Sequence, residues 1–220
     1  MMDWKKKYLN KVVQGDCMDV MKELPDNCID LVLTDPPYGI GAAKEKNTPR
    51  NGSWRNKSPV GYKERDWDNG IPSPKYFKNL FRVSSKQIIW GGNFFGLKGG
   101  YIFWDKMETM PNYTKGELAW VSGSKRIDKF EFLWSGYKKA IKEKRDHPTQ
   151  KPLELMVWCL ENYLLKNWKE DRRPIVFDGF AGSGTTAVAC KKCGCDYILV
   201  EKEQDYVDIC NKRLAQETLF

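Results

Sequence analysis

The sequence has 220 residues and carries 37 Lys and Arg against 29 Asp and Glu, which gives a formal net charge of +8. This basic excess favours an anionic partner, nucleic acid first, with an acidic small molecule or a membrane surface as the alternatives. No run of about 18 apolar residues occurs and residues 1–7 lack the apolar centre of a signal peptide, so we expect one soluble cytoplasmic domain over residues 1–220.

The first two predicted strands each end in an aspartate. Residues 11–14 form a short strand that stops before Asp16, and helical spacing follows over residues 17–24. The apolar run 29–34 predicts a buried parallel strand, which must stop at Asp35-Pro36-Pro37-Tyr38 because two prolines cannot continue a sheet. Ligands of open α/β sheets bind at the carboxyl ends of strands, so this turn is a candidate site, although Pro-Pro also ends strands for backbone reasons alone.

Periodicity is absent from about residue 40 to residue 72, which predicts a long insertion loop. Basic and aromatic side chains alternate there, and this combination suits a phosphate backbone and unstacked bases. A solvated insertion whose charge keeps the chain soluble would have the same composition. The aromatic residues are Trp54, Tyr62 and Trp67, and the residues predicted to bind nucleic acid are Lys44, Lys46, Arg50, Arg55, Lys57, Lys63 and Arg65.

The middle of the chain predicts one helix and four short strands. The last two strands flank a Ser-Gly-Ser turn, so we expect them to form an antiparallel hairpin or meander at the edge of the sheet. The helix is predicted over residues 74–83, and the strands over 87–90, 101–104, 117–121 and 130–134.

A proline-rich segment, His147-Pro148-Thr149-Gln150-Lys151-Pro152, leads into a helix predicted over residues 153–165. Thr149 and Lys151 offer a hydroxyl and a cation to a carboxylate or a phosphate near the start of that helix. An ordinary proline-rich start of a helix is the alternative.

A glycine-rich turn at residues 178–186 follows a strand predicted over 174–177 and opens a helix. Strand, glycine turn and helix together are typical of a nucleotide site. A P-loop is disfavoured because Thr185 stands where that motif requires lysine. A dinucleotide-type site fits better, because the next strand, over 196–200, ends at Glu201, the position used for ribose hydroxyls. A tight structural turn with a surface glutamate is the alternative.

The seven cysteines lack the pattern of a small disulfide scaffold and predict reduced thiols. Cys190, Cys193 and Cys195 raise the possibility of zinc, but three thiols fall short of four ligands and His147 lies far away in sequence. We therefore expect a helix end and a turn at Gly194, and no metal.

Four acidic residues, Asp16, Asp35, Asp178 and Glu201, each follow a predicted strand. A doubly wound, mostly parallel α/β sheet would gather them along one edge. An acidic rim on a basic protein suits a ligand with hydroxyls, amines or positive charge, and a sulfonium nucleoside carries all three.

Three motifs, at residues 35–38, 147–152 and 178–186, resemble in sequence and order the S-adenosylmethionine-dependent amino-methyltransferases of DNA. Nearly the whole chain is similar to the permuted group in which the catalytic motif precedes the cofactor motif, and most similar to its small, prophage-like adenine-N6 members. The resemblance implies a circularly permuted, Rossmann-like sheet with an antiparallel edge, S-adenosylmethionine as cofactor, DNA as substrate, base flipping, and a bacterial or phage-infected cytoplasm.

The resemblance assigns catalysis to Asp35, Pro36, Pro37 and Tyr38. An aromatic amine attacks a methyl group poorly because its lone pair is delocalised into the ring. Hydrogen bonds to Asp35 and the Pro36 carbonyl would draw the nitrogen towards tetrahedral geometry, and proline rigidity fixes both acceptors. Tyr38 can stack on a base extruded from the duplex.

The resemblance also implies a set of cofactor residues. Asp16 and Cys17 match the position that contacts the adenine of the cofactor, and Thr149 and Lys151 match the segment near its methionine carboxylate. The full set is Asp16, Cys17, Asp35, Thr149, Lys151, Asp178, Gly179, Phe180, Ala181, Gly182, Ser183, Gly184, Thr185 and Glu201.

Little sequence remains for a separate target-recognition domain. A small region at about 107–130 and the basic loop must serve, and a homodimer stays open. Adenine-N6 is favoured over cytosine-N4 because Asp35 is an aspartate rather than a serine, by resemblance only. RNA or a protein glutamine amide presents a similar planar amine. A nicotinamide-dependent dehydrogenase would leave residues 35–38 unused, and a catalytically silent DNA-binding module is the last alternative.

Overall fold

Eight strands form one sheet in the computed structural model, which describes residues 3–39, 70–109, 111, 114–134, 140 and 150–216. The strands are β1 (Lys11–Gln14), β2 (Leu31–Thr34), β3 (Gln87–Trp90), β4 (Gly100–Asp105), β5 (Gly116–Val121), β6 (Ile127–Glu131), β7 (Ile175–Asp178) and β8 (Asp196–Glu201). The helices are α1 (Trp4–Tyr8), α2 (Cys17–Glu23), α3 (Pro74–Val83), α4 (Leu153–Tyr163), α5 (Thr185–Cys193) and α6 (Gln204–Gln216), with a short 3-10 turn at Leu165–Asn167.

The order across the sheet is β1-β8-β7-β2-β3-β5-β4-β6. The strands from β1 to β3 in this order are all parallel, β5 runs antiparallel to both β3 and β4, and β6 is parallel to β4. The predicted α/β fold with a doubly wound, mostly parallel sheet is therefore confirmed. The chain goes outward from β7 to β8 on one side and from β2 to β3 on the other, so β7 and β2 flank the topological switch point where such sheets bind ligands.

The predicted hairpin of the strands at 117–121 and 130–134 is wrong. Strand β6 begins at Ile127 and ends at Glu131, and it pairs with β4 in the register Tyr101↔Ile127 instead of with β5. Both edges of β5 are already hydrogen-bonded, one to β3 and the other to β4. The chain after the Ser-Gly-Ser turn must therefore pass to the free edge of β4.

Alternating side chains of the central strands enter two separate cores, one on each face of the sheet. Leu31 and Leu33 of β2 pack with α4 and α5, whereas Val32 packs with α2 and α3 on the opposite face. Every residue of β2, β3 and β7 is buried. This burial on both faces explains why these strands read as continuous apolar runs.

Several local predictions agree with the structure residue by residue. Helix α3 begins at Pro74 and ends at Val83, as predicted. Helix α5 ends at Cys193, and Gly194 with a φ of 71° forms its C-cap, as expected for a helix end. All seven cysteines are free thiols. Among the helices described, none combines the length and the apolar composition needed to cross a bilayer.

Some sequence predictions fall on residues outside the described part of the chain. They concern His147, Thr149 and the basic residues Lys44, Lys46, Arg50, Arg55, Lys57, Lys63 and Arg65.

Candidate active site

A cleft of about 370 Å³ opens beside the switch point, at the carboxyl edge of the sheet. Its walls come from the ends of β1, β2, β7 and β8, from α3, and from the segment before α4. The predicted residues that line it are Asp16, Cys17, Asp35, Pro37, Lys151, Asp178, Gly179, Phe180, Ala181, Gly182, Ser183, Thr185 and Glu201. Gly184 is set back from the cleft as the N-cap of α5 and packs against Cys210. The fold thus brings the separate motifs together, while their roles stay predictions.

Two carboxylates lie at the ends of β1 and β8. Asp16 is the N-cap of α2, and its Oδ1 accepts a hydrogen bond of 2.8 Å from the Met18 amide. Glu201 Oε2 accepts 2.7 Å from the Gly182 amide, and Oε1 accepts 2.9 Å from the Glu203 amide. Burial raises the pKa of Glu201, although these amide donors act in the opposite direction. Each carboxylate oxygen has a second lone-pair site and can accept from a ligand hydroxyl or amine as well.

Asp178, at the end of β7, is held by neutral donors. Its Oδ1 accepts 2.8 Å from the Thr34 hydroxyl and 3.1 Å from the Phe180 amide, and its Oδ2 accepts 2.6 Å from the Thr186 hydroxyl. The residue is 4% exposed. Burial raises the pKa of Asp178 to about 6, although these hydrogen bonds favour the charged form. The carboxylate connects β7 to β2 and to the start of α5.

Asp35, just beyond β2, is held by charged and phenolic donors. Lys151 Nζ donates to Oδ2 at 2.5 Å, and the Tyr38 hydroxyl donates to Oδ1 at 2.5 Å. Burial raises the pKa of the Asp35 carboxyl, and the Glu117 carboxylate raises it further. The Lys151 ammonium and the Tyr38 hydroxyl lower this pKa. Two of about four lone-pair sites on the carboxylate are used by these contacts, so it can still accept from an incoming donor.

Lys151 has different partners from the one implied by the resemblance. Its ammonium, on a side chain 7% exposed, lies 2.5 Å from Asp35 Oδ2 and 3.0 Å from Glu117 Oε2. Burial lowers the pKa of Lys151, but the two carboxylates outweigh burial and the net pKa is raised. A buried ammonium needs paired carboxylates, and these lie within the protein. Its role towards a cofactor carboxylate stays a prediction, since Lys151 also lines the cleft.

The Tyr38 ring lies beside the cleft on an aromatic surface. It stacks on Phe94 with centroids 5.0 Å apart and an interplanar angle of 21°. Gly91, with a φ of 68°, follows β3, and a Cβ atom built there would overlap the Tyr38 ring. The missing side chain of Gly91 therefore makes room for the Tyr38 ring.

Sequence reasoning missed two residues of this site, Tyr76 and Glu117. Tyr76 belongs to the helix predicted over residues 74–83, and it lines the cleft with its ring centroid 5.4 Å from that of Phe180. Its buried hydroxyl has no hydrogen-bond partner among the described residues. A tyrosine where phenylalanine would fill the same face was the available signal. Glu117 gave none, since its partners are distant in sequence.

Comparisons with known proteins agree in pointing to one family. The model of the family described as DNA methylase (N6_N4_Mtase) matches residues 54–212. The type II methyltransferase M.HinfI of Haemophilus influenzae is 28% identical over an alignment of 261 residues, gaps included. The match covers 95% of this chain and 69% of the relative. The putative methylase YubD of Escherichia coli K12 is 27% identical over 228 residues, which cover 94% of this chain and 91% of the relative.

Two solved structures show the same fold. The crystal structure of an M1.HpyAVI–SAM complex has a TM-score of 0.58 and 23% identity, and the match covers 92% of this chain and 98% of that one. The PvuII DNA methyltransferase, described as cytosine-N4-specific, has a TM-score of 0.56 and 12% identity, with coverages of 93% and 88%.

Proposed function

Because this chain belongs to the DNA methylase family, whose members methylate exocyclic amines, we propose that it transfers a methyl group from S-adenosylmethionine to N6 of adenine in DNA. One observation carries the proposal. A partly buried carboxylate, Asp35, is held by Lys151 and Tyr38 at the rim of a cleft whose far wall carries Asp16 and Glu201. An amine acceptor and a nucleoside-type site therefore share one cavity.

The residues of the cleft fit S-adenosylmethionine by their chemistry. Asp16 and Glu201 offer acceptors to the ribose hydroxyls and amines of the ligand. The buried Tyr76 hydroxyl lacks a partner among the described residues and offers a donor, since burial raises its pKa well above the ordinary value and keeps it protonated. The glycine turn, from Gly179 to Gly182, brings backbone close to the ligand. When bound, S-adenosylmethionine supplies an electrophilic methyl group on a cationic sulfur.

Asp35 is proposed to orient the target amine. Its free lone pairs accept a hydrogen bond from the exocyclic N–H, and the Pro36 carbonyl accepts the second. The Lys151 ammonium offsets the cost of keeping the Asp35 carboxylate ionised in a buried site. The Tyr38 hydroxyl fixes the rotation of the carboxylate by donating to Oδ1. The methylated amine carries a positive charge and is acidic, so a weakly basic carboxylate suffices to take its proton.

Cytosine-N4 is the second candidate, because one of the structures with the same fold is described as cytosine-N4-specific. Its target amine is also attached to an aromatic ring, and the same two acceptors would serve.

Methyl labelling distinguishes these substrates. The protein is incubated with radiolabelled S-adenosylmethionine and with duplex DNA, single-stranded DNA, RNA or a glutamine-bearing release factor, and the products are digested to nucleosides or peptides. We expect label in N6-methyldeoxyadenosine, and none with Asp35→Ala. Label in cytosine would establish the second candidate, and label in RNA or protein alone would refute DNA as the substrate.

DNA binding by the basic loop is a further part of the proposal. Changing Lys44, Arg50 and Arg55 to Ala should weaken DNA binding and flatten its salt dependence by roughly 0.9 in log–log slope for each phosphate that is no longer neutralised. Affinity for the cofactor should stay unchanged. The matched control replaces three exposed lysines on α1, α5 and α6, namely Lys5, Lys192 and Lys212. If the two triple variants have equal effects in a salt titration, the loop does not bind DNA specifically and is a solvated insertion.

A further inference from the structure

Four alternating charges form a continuous line that ends at Asp35. Lys106, just after β4, donates to Glu117 Oε1 on β5, and Glu117 Oε2 lies 3.0 Å from Lys151 Nζ. Lys151 in turn lies 2.5 Å from Asp35 Oδ2. The side chains of all four are at most 24% exposed. Lys106 and Glu117 do not line the cleft, so they act on a ligand only through Lys151 and Asp35.

The two lysines of this line lie over two buried tryptophan rings. Lys151 Nζ lies 5.4 Å from the centroid of the Trp90 ring, and Lys106 Nζ lies 4.8 Å from that of Trp104. The two rings contact each other edge to face at 6.2 Å. The Lys106 backbone is also fixed, since its amide donates to the Lys115 carbonyl at 2.9 Å. The ammonium groups therefore have little freedom to move away from Glu117.

Pairing of β4 with β5 does not require these charges. Six residue pairs already join the two strands, from Gly100↔Val121 to Asp105↔Gly116. Removing a carboxylate and two ammonium groups from water costs more than a salt bridge of this kind usually returns in stability. Lys151 and Lys106 nevertheless lower the pKa of Glu117 to about 2 against the effect of burial, so it stays charged. The energetics therefore favour a function for its charge over a purely stabilising role.

We propose that Glu117 is a positioning residue for methyl transfer, which holds the Lys151 ammonium beside Asp35 and weakens the positive field of that ammonium there, and that Lys106 sets how strongly Glu117 acts. The inference rests on the proposed function, in which Asp35 accepts a hydrogen bond from the target amine. An acceptor paired with Lys151 alone would be less basic, since the full charge of the ammonium would act on it. Lys151 keeps Asp35 ionised, and sharing the ammonium with Glu117 makes Asp35 more basic and a stronger acceptor.

The two supporting residues have opposite effects on the titration of Asp35. Among the described residues, the ionisable groups that face Asp35 are Lys151, Glu117, Tyr38 and Asp178. Glu117→Gln removes a negative charge and should lower the pKa of Asp35. Lys106→Gln leaves Glu117 unscreened and should raise it. Glu131→Gln, which removes an exposed carboxylate paired with Lys129 on β6, is the matched control and should leave it unchanged.

The titration is measured by NMR on protein labelled at the aspartate carboxyl carbons, with Asp35→Asn used to assign the signal. In steady-state assays, Glu117→Gln should lower kcat by about 10- to 100-fold and change KM for DNA and cofactor by less than about threefold. Its acid limb of kcat should move to lower pH, and that of Lys106→Gln to higher pH.

The role of Glu117 would be overturned if the titration midpoint of Asp35 stayed at the wild-type value in both Glu117→Gln and Lys106→Gln. A shift in the same direction in both variants would also overturn it. A lower melting temperature together with an unchanged titration midpoint of Asp35 would show that the charges only stabilise the sheet. If Glu117→Gln does not fold, the Lys106→Gln titration decides alone. NMR requires no turnover, so it tests Glu117 even if no substrate is methylated, whereas that failure would refute the proposed function.

Discussion

Two aspartates near the carboxyl ends of adjacent strands, Asp178 and Asp35, have opposite surroundings. Asp178 on β7 accepts from two threonine hydroxyls and a backbone amide, all neutral. Asp35 after β2 accepts from an ammonium and a phenol. Neutral donors leave burial to dominate, so the pKa of Asp178 is about 6, and its carboxylate joins β7 to β2 and to the start of α5. The position at a strand end therefore does not decide a role; the donors around the carboxylate do.

The largest effect is expected from Asp35→Asn. Turnover should fall by roughly 10²- to 10⁴-fold, because the amide has only one acceptor oxygen and no charge to take the proton. The fold should survive, since the buried Lys151 ammonium keeps Glu117 as a partner. Single-turnover methylation measures turnover, and thermal melting measures the survival of the fold. Turnover within tenfold of the wild type would remove the distinction between the two aspartates.

An intermediate effect, on stability instead of turnover, is expected from Asp178→Asn. The pKa of Asp178 is raised from 3.8 to about 6 on folding, so its contribution to stability is complete below pH 3.8 and is lost as the pH rises through 6. A shift of about two units corresponds to roughly 3 kcal/mol. Between pH 4 and pH 7 the wild type should lose about that much free energy of unfolding relative to the variant.

Urea unfolding of both proteins across this pH range provides the measurement. Parallel stability curves would show that Asp178 titrates as it does in the unfolded chain. Asp35→Asn should instead change the pH dependence of turnover. Asp178→Asn is not expected to change it.

The smallest effect is expected from Thr34→Val, which removes one of the three donors to Asp178 without changing the shape of the side chain. The loss of one hydrogen bond should cost about 0.5–1.5 kcal/mol. It should also raise the pKa of Asp178, because the hydroxyl favours the charged form. Thr186→Val should act in the same way from the opposite oxygen. A stability unchanged by both substitutions would mean that the hydroxyls do not hold the carboxylate.

The features that the sequence could predict are local ones. The bounds of α3 follow from Pro74 and the spacing of its apolar face, and the ends of β2 and β7 follow from Pro36 and Gly179. These signals are local because proline and glycine act on the backbone of their immediate neighbours. The four acids at strand ends could be assembled because the carboxyl ends of parallel strands share one edge.

The features that the sequence could not predict are pairings across long separations. The partner of β6 depends on which sheet edge remains free, and nothing near Ile127 records this. Lys151 has two possible kinds of partner by charge, a ligand anion or a protein carboxylate, and only the fold brings Glu117 within 3.0 Å of it. The hydroxyl of Tyr76 enters the cleft because the Phe180 turn packs beside α3.

The pairing of β1 with β8 has a consequence for biosynthesis. Lys11 pairs with Ile198, roughly 190 residues later in the chain. Strand β1 therefore cannot form this pairing until β8 has been synthesised. At about 5–20 residues per second this delay is on the order of 10–40 s. During this time β1 lacks the strand it pairs with and is open to chaperones, and Asp16 and Glu201 are apart. A nascent chain therefore gains no stabilisation from cofactor until β8 has been synthesised, after which ligand binding favours the assembled sheet by mass action.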